Sequence, residues 1–460
     1  MNRRGWVTLS VWIGAFMSTL DASIVNISLP TIVRSLDTDL TAVAWVVMSY
    51  LIVITGCLLV MGRLSDLFGQ KQIYLLGFLT FTLGSAFCGF SPTISFLIGS
   101  RMLQGLGASA LMANGSAILT TTYPEEDRGK ALGIMGSVIS AGFLTGPILG
   151  GFLVEHLGWR SVFFINLPVG AVGVYLSSKF LDRDGSAEKA RVDFWGALLI
   201  FLFLAFLLLF LNRMSRGSDP LVWVWLFLLL LCLGLFILVE LRSPSPLVDL
   251  NLFRRRLFVS SLGASFLSFW MGAAHTFVMP FFLQDILEFS PAKAGMFIFP
   301  IALTVMVTAP LGGRFSDRVG VRIPATIGLT LTAMTVFSFT LLKPSASDFD
   351  ILWRQVVLGL GISLFNPANN SAIIGSLPRE KVGLASSFLA LSRNLGLVIG
   401  VAFAEMVITL GLPISPLGRT KASPSLASIQ DVWKLVVIIG LAAILVSWTR
   451  EKKLDGPGVK

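Results

Sequence analysis

Long apolar segments separated by short polar ones run through the whole chain. A membrane-spanning helix needs about 20 mostly apolar residues. Fourteen segments of the 460-residue sequence approach or exceed that length, at roughly 6–29, 43–62, 73–90, 94–119, 128–153, 161–180, 195–212, 221–241, 258–283, 292–313, 324–342, 351–375, 383–411 and 431–449. The pattern predicts an all-α membrane protein with fourteen transmembrane helices. An even number of spans places both termini on the same side of the membrane.

A ten-residue motif occurs twice between apolar segments, as GRLSDLFGQK at 62–71 and as GRFSDRVGVR at 313–322. We interpret each copy as a tight cytoplasmic turn and predict that the pair forms a cytoplasmic gate. Each Asp would either accept hydrogen bonds from the backbone of a neighbouring helix N-terminus or pair with a nearby base. The predicted gate residues are Gly62, Arg63, Asp66, Gly69, Lys71, Gly313, Arg314, Asp317, Gly320 and Arg322.

The distance between related segments predicts how the chain is organised. The two motifs are 251 residues apart, and GLGAS at 105–109 is related to GLGIS at 359–363 at a distance of 254. Two six-helix halves alone would give about 200 residues, and segment 195–241 accounts for the excess. The predicted organisation is an N-terminal six-helix bundle at 1–180, a linker with two inserted helices at 181–257, a C-terminal six-helix bundle at 258–450 and a cytoplasmic tail at 451–460. The inserted helices are apolar all round, so we expect them at the periphery.

Charge and composition set the orientation and exclude several classes of protein. The termini and even-numbered loops hold 23 Lys and Arg residues against 9 in the other loops, which predicts that both termini are cytoplasmic. Only 13% of residues are charged and mean hydropathy is +0.83, unlike a soluble domain. The net charge of +10 is spread over short loops and does not indicate nucleic-acid binding. Three cysteines and two histidines lack metal-ligand spacing, so we expect no metal and no cofactor. No nucleotide-binding motif is present, so if the protein moves a solute uphill, an ion gradient must drive it.

Two charged residues inside predicted spans point to proton coupling. Asp21 lies in the first span, on one helical face with Gly14, Ser18 and Ser28. An intramembrane carboxylate is costly and usually faces a cavity, so we predict that Asp21 binds and releases a proton; the alternative is a structural acid that joins helices. Arg101 in the fourth span would pair with Asp21, or else lie at the outer interface and reach water.

Further polar side chains within the spans are candidates for a substrate cavity: Asn26, Gln104, Asn394, Glu405 and His275. Glu405 could equally be an interfacial acid exposed to water, and a lone His is more often a structural hydrogen-bonding group. The fifth span carries Gly133, Gly142, Gly146, Pro147, Gly150 and Gly151. Glycines at these intervals form a smooth groove and the proline produces a bend.

These motifs together resemble the major facilitator superfamily, and within it the fourteen-span drug:proton antiporter family. The resemblance covers nearly the whole chain, through the repeated motif, the Arg101 segment, the fifth-span glycines, here called the antiporter motif, and the segment from Leu20 to Pro30. The sequence departs from the family pattern at Leu67 and Gln70, where basic residues are usual, and at Ser23, where Thr is usual.

The resemblance implies proton-coupled export of hydrophobic drugs or toxic compounds, cations included, by alternating access between two bundles. It implies antiport through the antiporter motif, a bacterial plasma membrane and a monomer. The expected partners are a small hydrophobic substrate, protons and the lipid bilayer. A dedicated lipid or metabolite exporter of the same fold is the alternative. A membrane enzyme or receptor would need a catalytic constellation or a sensor domain, and the sequence shows neither.

Overall fold

The computed structural model describes residues 3–182, 194–214, 221–242, 252, 254–377, 382–411 and 424–450. Within these ranges the chain is helical, without a strand. The helices are α1 Arg3–Ser35, α2 Leu40–Phe68, α3 Gln70–Gly89, α4 Ile94–Thr122, α5 Glu125–Leu157, α6 Ser161–Phe164, α7 Asn166–Phe180, α8 Phe194–Met214, α9 Leu221–Arg242, α10 Arg256–Phe281, α11 Pro291–Val319, α12 Arg322–Phe339, α13 Asp348–Gly375, α14 Val382–Leu410 and α15 Leu426–Trp448. A π-helical turn, Phe282–Ile286, follows α10.

Twelve candidate membrane spans satisfy length and hydropathy criteria in the described ranges, where the sequence predicted fourteen. α6 and α7 together form one of the twelve, Ser161–Phe180. The two predicted spans outside this set are α4 and α8. The polar side chains and glycines of α4, Arg101 and Gln104 among them, lower its hydropathy. The apolar stretch described for α8, Leu198–Leu211, is short.

The repeated motif is mostly helical, which corrects the prediction of a ten-residue turn. Its first part continues α2 as far as Phe68, and the chain reverses at Gly69, whose φ is 94°. In the second copy α11 continues to Val319, and the reversal falls at Gly320, with φ 82°. A side chain is strained at such positive φ values, so the second glycine of each motif is the residue that permits the turn.

Contacts divide the chain into two compact units. Of the described residues, the first contains those within Met1–Val248 and Leu283–Met296, and the second contains those within Asp249–Phe282, Phe297–Gly411 and Pro424–Lys460. α8 and α9 belong to the first unit, where α8 packs against α2 and α9. Large apolar side chains of α9, such as Trp223 and Phe227, are exposed, as expected of a helix that faces lipid.

The two units share one internal packing pattern. In the first, α4 and α7 each pack against α1 and α3, while α5 packs against α1. In the second, α13 and α15 each pack against α10 and α12, while α14 packs against α10. Thus α1, α3, α4, α5 and α7 correspond to α10, α12, α13, α14 and α15.

Close glycine contacts support this correspondence at residue level. A Cβ atom on Gly77 of α3 would lie 3.2 Å from the carbonyl oxygen of Gly107 on α4. A Cβ atom on Gly328 of α12 would lie 2.6 Å from the carbonyl oxygen of Gly361 on α13. Helices approach this closely only where small residues face each other. The sequence repeat is therefore also a repeat of helix packing.

Candidate functional site

A buried carboxylate is the centre of the candidate site. Asp21 on α1 is 0% exposed and accepts three side-chain hydrogen bonds. Arg101 Nη1 donates to its Oδ2 over 2.5 Å, while Gln104 Nε2 and Asn166 Nδ2 donate to its Oδ1 over 2.8 and 2.9 Å. α1, α4 and α7 thus meet at one acid.

The guanidinium of Arg101 is enclosed as completely as its partner. Arg101 is 1% exposed, so the alternative prediction of a side chain that reaches water at the outer interface is wrong. Its Nε donates to the backbone carbonyl of Val46 over 3.0 Å and its Nη1 also donates to Gln104 Oε1 over 2.5 Å. The guanidinium carbon lies 4.0 Å from the ring centroid of Tyr50, in cation–π geometry.

The buried ion pair depends on the hydrogen bonds that surround it. Removing two charges from water costs several kcal/mol per ion, and their attraction offsets that cost only when further hydrogen bonds complete both groups. Those hydrogen bonds are present around Asp21 and Arg101. The ion pair therefore joins α1, α4 and α7 through contacts that would be lost if either charge were removed.

Glycines at the helix contacts bring the members of the site together. A Cβ atom on Gly84 of α3 would lie 2.6 Å from the backbone nitrogen of Gln104, and one on Gly105 would lie 2.8 Å from the carbonyl oxygen of Tyr50. Neither space admits a side chain. The close approach of α3 lets Gln104 Nε2 also donate to Ser85 Oγ over 2.7 Å.

Sequence reasoning found only part of this site. It identified Asp21, Arg101 and Gln104, and it placed Asp21 on a stripe with Gly14, Ser18 and Ser28, all of which are buried. It missed Asn166 and Ser85, which complete the hydrogen bonds. The signal that could have found Asn166 is its position as an amide within the apolar run from Phe163 to Leu167.

The other cavity candidates lie outside this network. Asn26 is half-buried, and its Nδ2 donates to the carbonyl of Ala22 on its own helix over 3.3 Å. Asn394 and Glu405 are both buried on α14 in the second unit. Glu405 Oε1 accepts a hydrogen bond from Thr409 Oγ1 over 3.0 Å. His275 is buried on α10 of the same unit.

The predicted gate residues form few strong contacts. Arg63 pairs with Asp66 on its own helix over 3.6 Å, which matches the predicted pairing with a base, but both side chains are partly exposed and such pairs contribute little. Lys71 Nζ donates to the carbonyl of Leu181 over 2.7 Å. In the second copy, Arg322 lies 4.2 Å from the ring centroid of Trp448. The remaining polar members there, Arg314 and Asp317, are exposed on α11.

Most of the antiporter motif packs against α1. A Cβ atom on Gly142 would overlap Thr19, and one on Gly146 would overlap Ser23. One on Gly150 would lie 2.7 Å from Ile24 Cγ1. α1 is the helix that carries Asp21, so the glycine surface of α5 fixes its position. Gly133 differs, because it faces open space.

The C-terminal end of α5 and the same α1 also contact segment Leu283–Met296, which belongs to the first unit. A Cβ atom on Gly295 would overlap the carbonyl oxygen of Pro147. Gln284 Nε2 donates to the carbonyl of Ile27 over 2.9 Å, and the Glu155 carboxylate accepts from the backbone N–H of Ala292 over 2.9 Å. The N-terminus of α11 thereby receives the negative charge that its dipole favours.

Replacing Gly146 with Val tests the packing of α5 on α1. We expect Gly146→Val to lower the free energy of unfolding by about 1–3 kcal/mol, because the new side chain would overlap Ser23. Gly133→Val is the matched control on the same helix, and it should leave stability near wild type because its site is open. Thermal unfolding in detergent measures both. Equal stability of the two variants would contradict the close α1–α5 contact.

Two similarly packed helical units, one of them enclosing an ion pair, define a polytopic membrane protein of the kind that transports solutes. The sequence profile of the Major Facilitator Superfamily matches residues 11–401. The chain is 33% identical to the riboflavin transporter RibZ of Clostridioides difficile, over 98% of this chain and 99% of the relative. It is 31% identical to the multidrug resistance protein Stp of Mycobacterium tuberculosis, over 90% of this chain and 77% of the relative.

A solved structure shares the fold. A bacterial homologue of the human lysosomal transporter Spinster matches with a TM-score of 0.68 at 16% identity, over 98% of each chain. The chain belongs to the Major Facilitator Superfamily. It is a multi-pass membrane transporter and not an enzyme.

Proposed function

We propose that this transporter is a proton-coupled antiporter that exports hydrophobic drugs or toxic compounds, cations included, by alternating access. The observation that carries the proposal is the buried pair of Asp21 and Arg101, completed by Gln104 and Asn166. If Asp21 binds a proton, it loses its negative charge, and the positive charge of the buried Arg101 is then no longer neutralised. Such a site links proton binding to a conformational change.

The proposed coupling runs through α1. When Asp21 takes a proton, its hold on Arg101 weakens and the three helices of the network relax. α1 also contacts the glycines of α5, and its Ile27 carbonyl accepts from Gln284. A shift of α1 would therefore disturb the contacts of segment 283–296. We propose that these contacts close the outer side of the transport path and open once per cycle.

The fourteen-span organisation is part of the proposal. α4 carries the central Arg101 and is 29 residues long, and α8 has 21 residues, enough in each case to cross a bilayer. With these two, the spans are arranged as six, two inserted and six. The excess of Lys and Arg in the even-numbered loops supports cytoplasmic termini. We further propose a single chain in a bacterial plasma membrane.

The relatives favour two substrate classes. A multidrug resistance protein is among them, which supports broad export of unrelated compounds. The riboflavin transporter matches over nearly the whole of both chains, which supports transport of a single metabolite as the second candidate. The two candidates use the same fold and differ in breadth of recognition.

Substrate breadth separates the two candidates. Purified protein in liposomes with an acidic lumen would be offered ethidium, a lipophilic cation, and riboflavin in separate assays. We expect uptake of ethidium that unrelated hydrophobic cations inhibit, and its loss when nigericin collapses the pH gradient. Protein-free liposomes are the control. Uptake of riboflavin alone, unaffected by the cations, would reject the multidrug proposal in favour of a dedicated exporter.

A further inference from the structure

A second buried polar cluster lies in the second unit. His275 on α10 is 2% exposed and Gln355 on α13 is 0% exposed. Gln355 is the polar neighbour of the imidazole. Among the described residues, however, neither ring nitrogen and neither amide atom has a partner with hydrogen-bond geometry. Each unsatisfied buried polar group costs about 1–3 kcal/mol, so this cluster lowers the stability of the folded protein.

The cluster corresponds to the Asp21 site of the first unit. α10 and α13 correspond to α1 and α4 in packing. The distance of 254 residues that relates Gly105 to Gly359 also relates Arg101 to Gln355 on the same two helices. His275 therefore faces Gln355 as Asp21 faces Arg101. Each unit places one titratable side chain between its equivalent helices.

The surroundings of His275 are aromatic where those of Asp21 are polar. The imidazole lies 4.8 Å from the ring centroid of Phe339 on α12 and 6.3 Å from that of Trp433 on α15. The corresponding helices of the first unit, α3 and α7, contribute Ser85 and Asn166. In the second unit the imidazole therefore lies beside two aromatic rings, with Gln355 as a polar neighbour.

Charged groups on the neighbouring helices are engaged elsewhere. On α13, Arg354 donates to Ser338 and Asp350. On α15, Lys434 pairs with Asp431. On α14, Glu405 accepts from Thr409, and Arg393 is not a partner of the imidazole. On α12, Arg322 lies over Trp448. Among the described residues Gln355 is the side chain that acts on the imidazole, and no charged group does so. A proton taken up there would therefore be the main change of charge at this place.

We propose that His275 is a second proton-binding residue of the transport cycle, with Gln355 as its hydrogen-bond acceptor. This inference rests on the proposed antiport. The neutral ring accepts a proton on its bare nitrogen, and one N–H of the resulting imidazolium donates to Gln355 Oε1. The proton later leaves from the same nitrogen, so the ring returns to its starting state without any redox step. The unpartnered ring nitrogens and the amide oxygen of Gln355 leave this hydrogen bond available to the protonated ring.

The number of protons exchanged per substrate measures this proposal. Liposomes containing the protein would be clamped at zero membrane potential with potassium and valinomycin, and ethidium would be allowed to reach its final accumulation ratio. One proton per cycle supports about a tenfold ratio for each pH unit, and two support about a hundredfold ratio. We expect about a hundredfold ratio for wild type.

Three variants complete the test. His275→Asn removes the titratable ring. His275→Phe places a ring that cannot bind a proton beside Phe339 and Trp433. We expect both to lower the ratio to about tenfold for each pH unit, and thermal unfolding should show that His275→Phe remains folded. The matched control is His156→Asn, since His156 is the only other histidine and is exposed on α5. It should match wild type.

The outcomes distinguish this inference from the function on which it rests. If His275→Phe keeps the wild-type ratio, His275 only packs and the inference is rejected, while antiport stands. If wild type itself gives a tenfold ratio that the variants share, the same conclusion follows. If wild type moves ethidium without responding to the pH gradient, or moves none, the proposed function fails and the inference fails with it.

Discussion

Asp21→Asn is expected to abolish proton-driven accumulation of substrate while substrate exchange continues. Asparagine resembles a protonated aspartic acid in shape and charge, a state that the proposed cycle visits. The variant should therefore remain able to change conformation, but neither the proton of Asp21 nor that proposed for His275 would be tied to the change, because the proposed coupling runs through the pair of Asp21 and Arg101. Accumulation should fall from about tenfold or more per pH unit to none. Exchange of labelled for unlabelled substrate should stay within about threefold of wild type.

Asp431→Asn is the matched control for this measurement. It makes the same chemical change at an exposed acid on α15, whose carboxylate pairs with Lys434 on its own helix. We expect it to accumulate substrate as wild type does. If Asp21→Asn loses exchange and stability together, Asp21 is a structural acid that joins α1, α4 and α7, which is the alternative that the sequence left open.

Arg101→Ala is expected to cause the largest loss of stability of any single change in the site. It would leave Asp21 as a buried carboxylate whose remaining side-chain donors are the neutral amides of Gln104 and Asn166. Removing one partner of a buried ion pair costs about 3–5 kcal/mol. Unfolding in detergent, followed by tryptophan fluorescence, measures the difference.

The double variant Asp21→Asn/Arg101→Ala separates the ion pair from the packing around it. It has no buried charge left uncompensated, so it should be more stable than Arg101→Ala alone. The two changes should be non-additive by about 0.5–3 kcal/mol. Arg101→Lys is a useful third variant, because it keeps the charge but cannot reproduce the donors to Val46, Asp21 and Gln104. Additive losses would mean that the 2.5 Å contact contributes little.

The sequence predicted the site where local pattern was sufficient. A carboxylate within an apolar span has few stable environments, so Asp21 could be assigned to the interior before any contact was known. Arg101 could be predicted as the partner of Asp21, because a guanidinium within a span stays charged and needs an opposite charge or water. The repeated motif similarly predicted two related halves. In the structure α3 packs on α4 in the first unit, and the corresponding helices α12 and α13 pack together in the second.

Other features depended on information that a single sequence does not contain. The contact of Asn166 with Asp21 depends on how α7 is positioned along α1, which hydropathy does not specify. The repeated motif was interpreted as a loop because it is polar, although a helix can extend beyond the bilayer with polar residues. Within the two copies of the motif, Gly69 and Gly320 are the residues with positive φ, and the chain reverses at them. The span count differed because α4 combines a membrane-length helix with a polar, glycine-rich face, and because the apolar stretch described for α8 is short.

The two units also differ in a way that the sequence repeat did not reveal. The first surrounds Asp21 with donors, whereas the second surrounds His275 with the rings of Phe339 and Trp433. Equivalent helices thus hold a fully satisfied acid in one unit and an unsatisfied base in the other. A proton on Asp21 would break existing interactions, whereas a proton on His275 would allow a new hydrogen bond to form.

Proton movement driven by substrate tests the central claim most directly. Liposomes containing the protein would carry a pH-sensitive dye and an imposed pH gradient, and a lipophilic cation would then be added. The account predicts that the cation dissipates the gradient in wild type and leaves it unchanged in Asp21→Asn. The contradicting result is labelled cation that crosses with wild type while the gradient persists, which would make this protein a transporter without proton coupling.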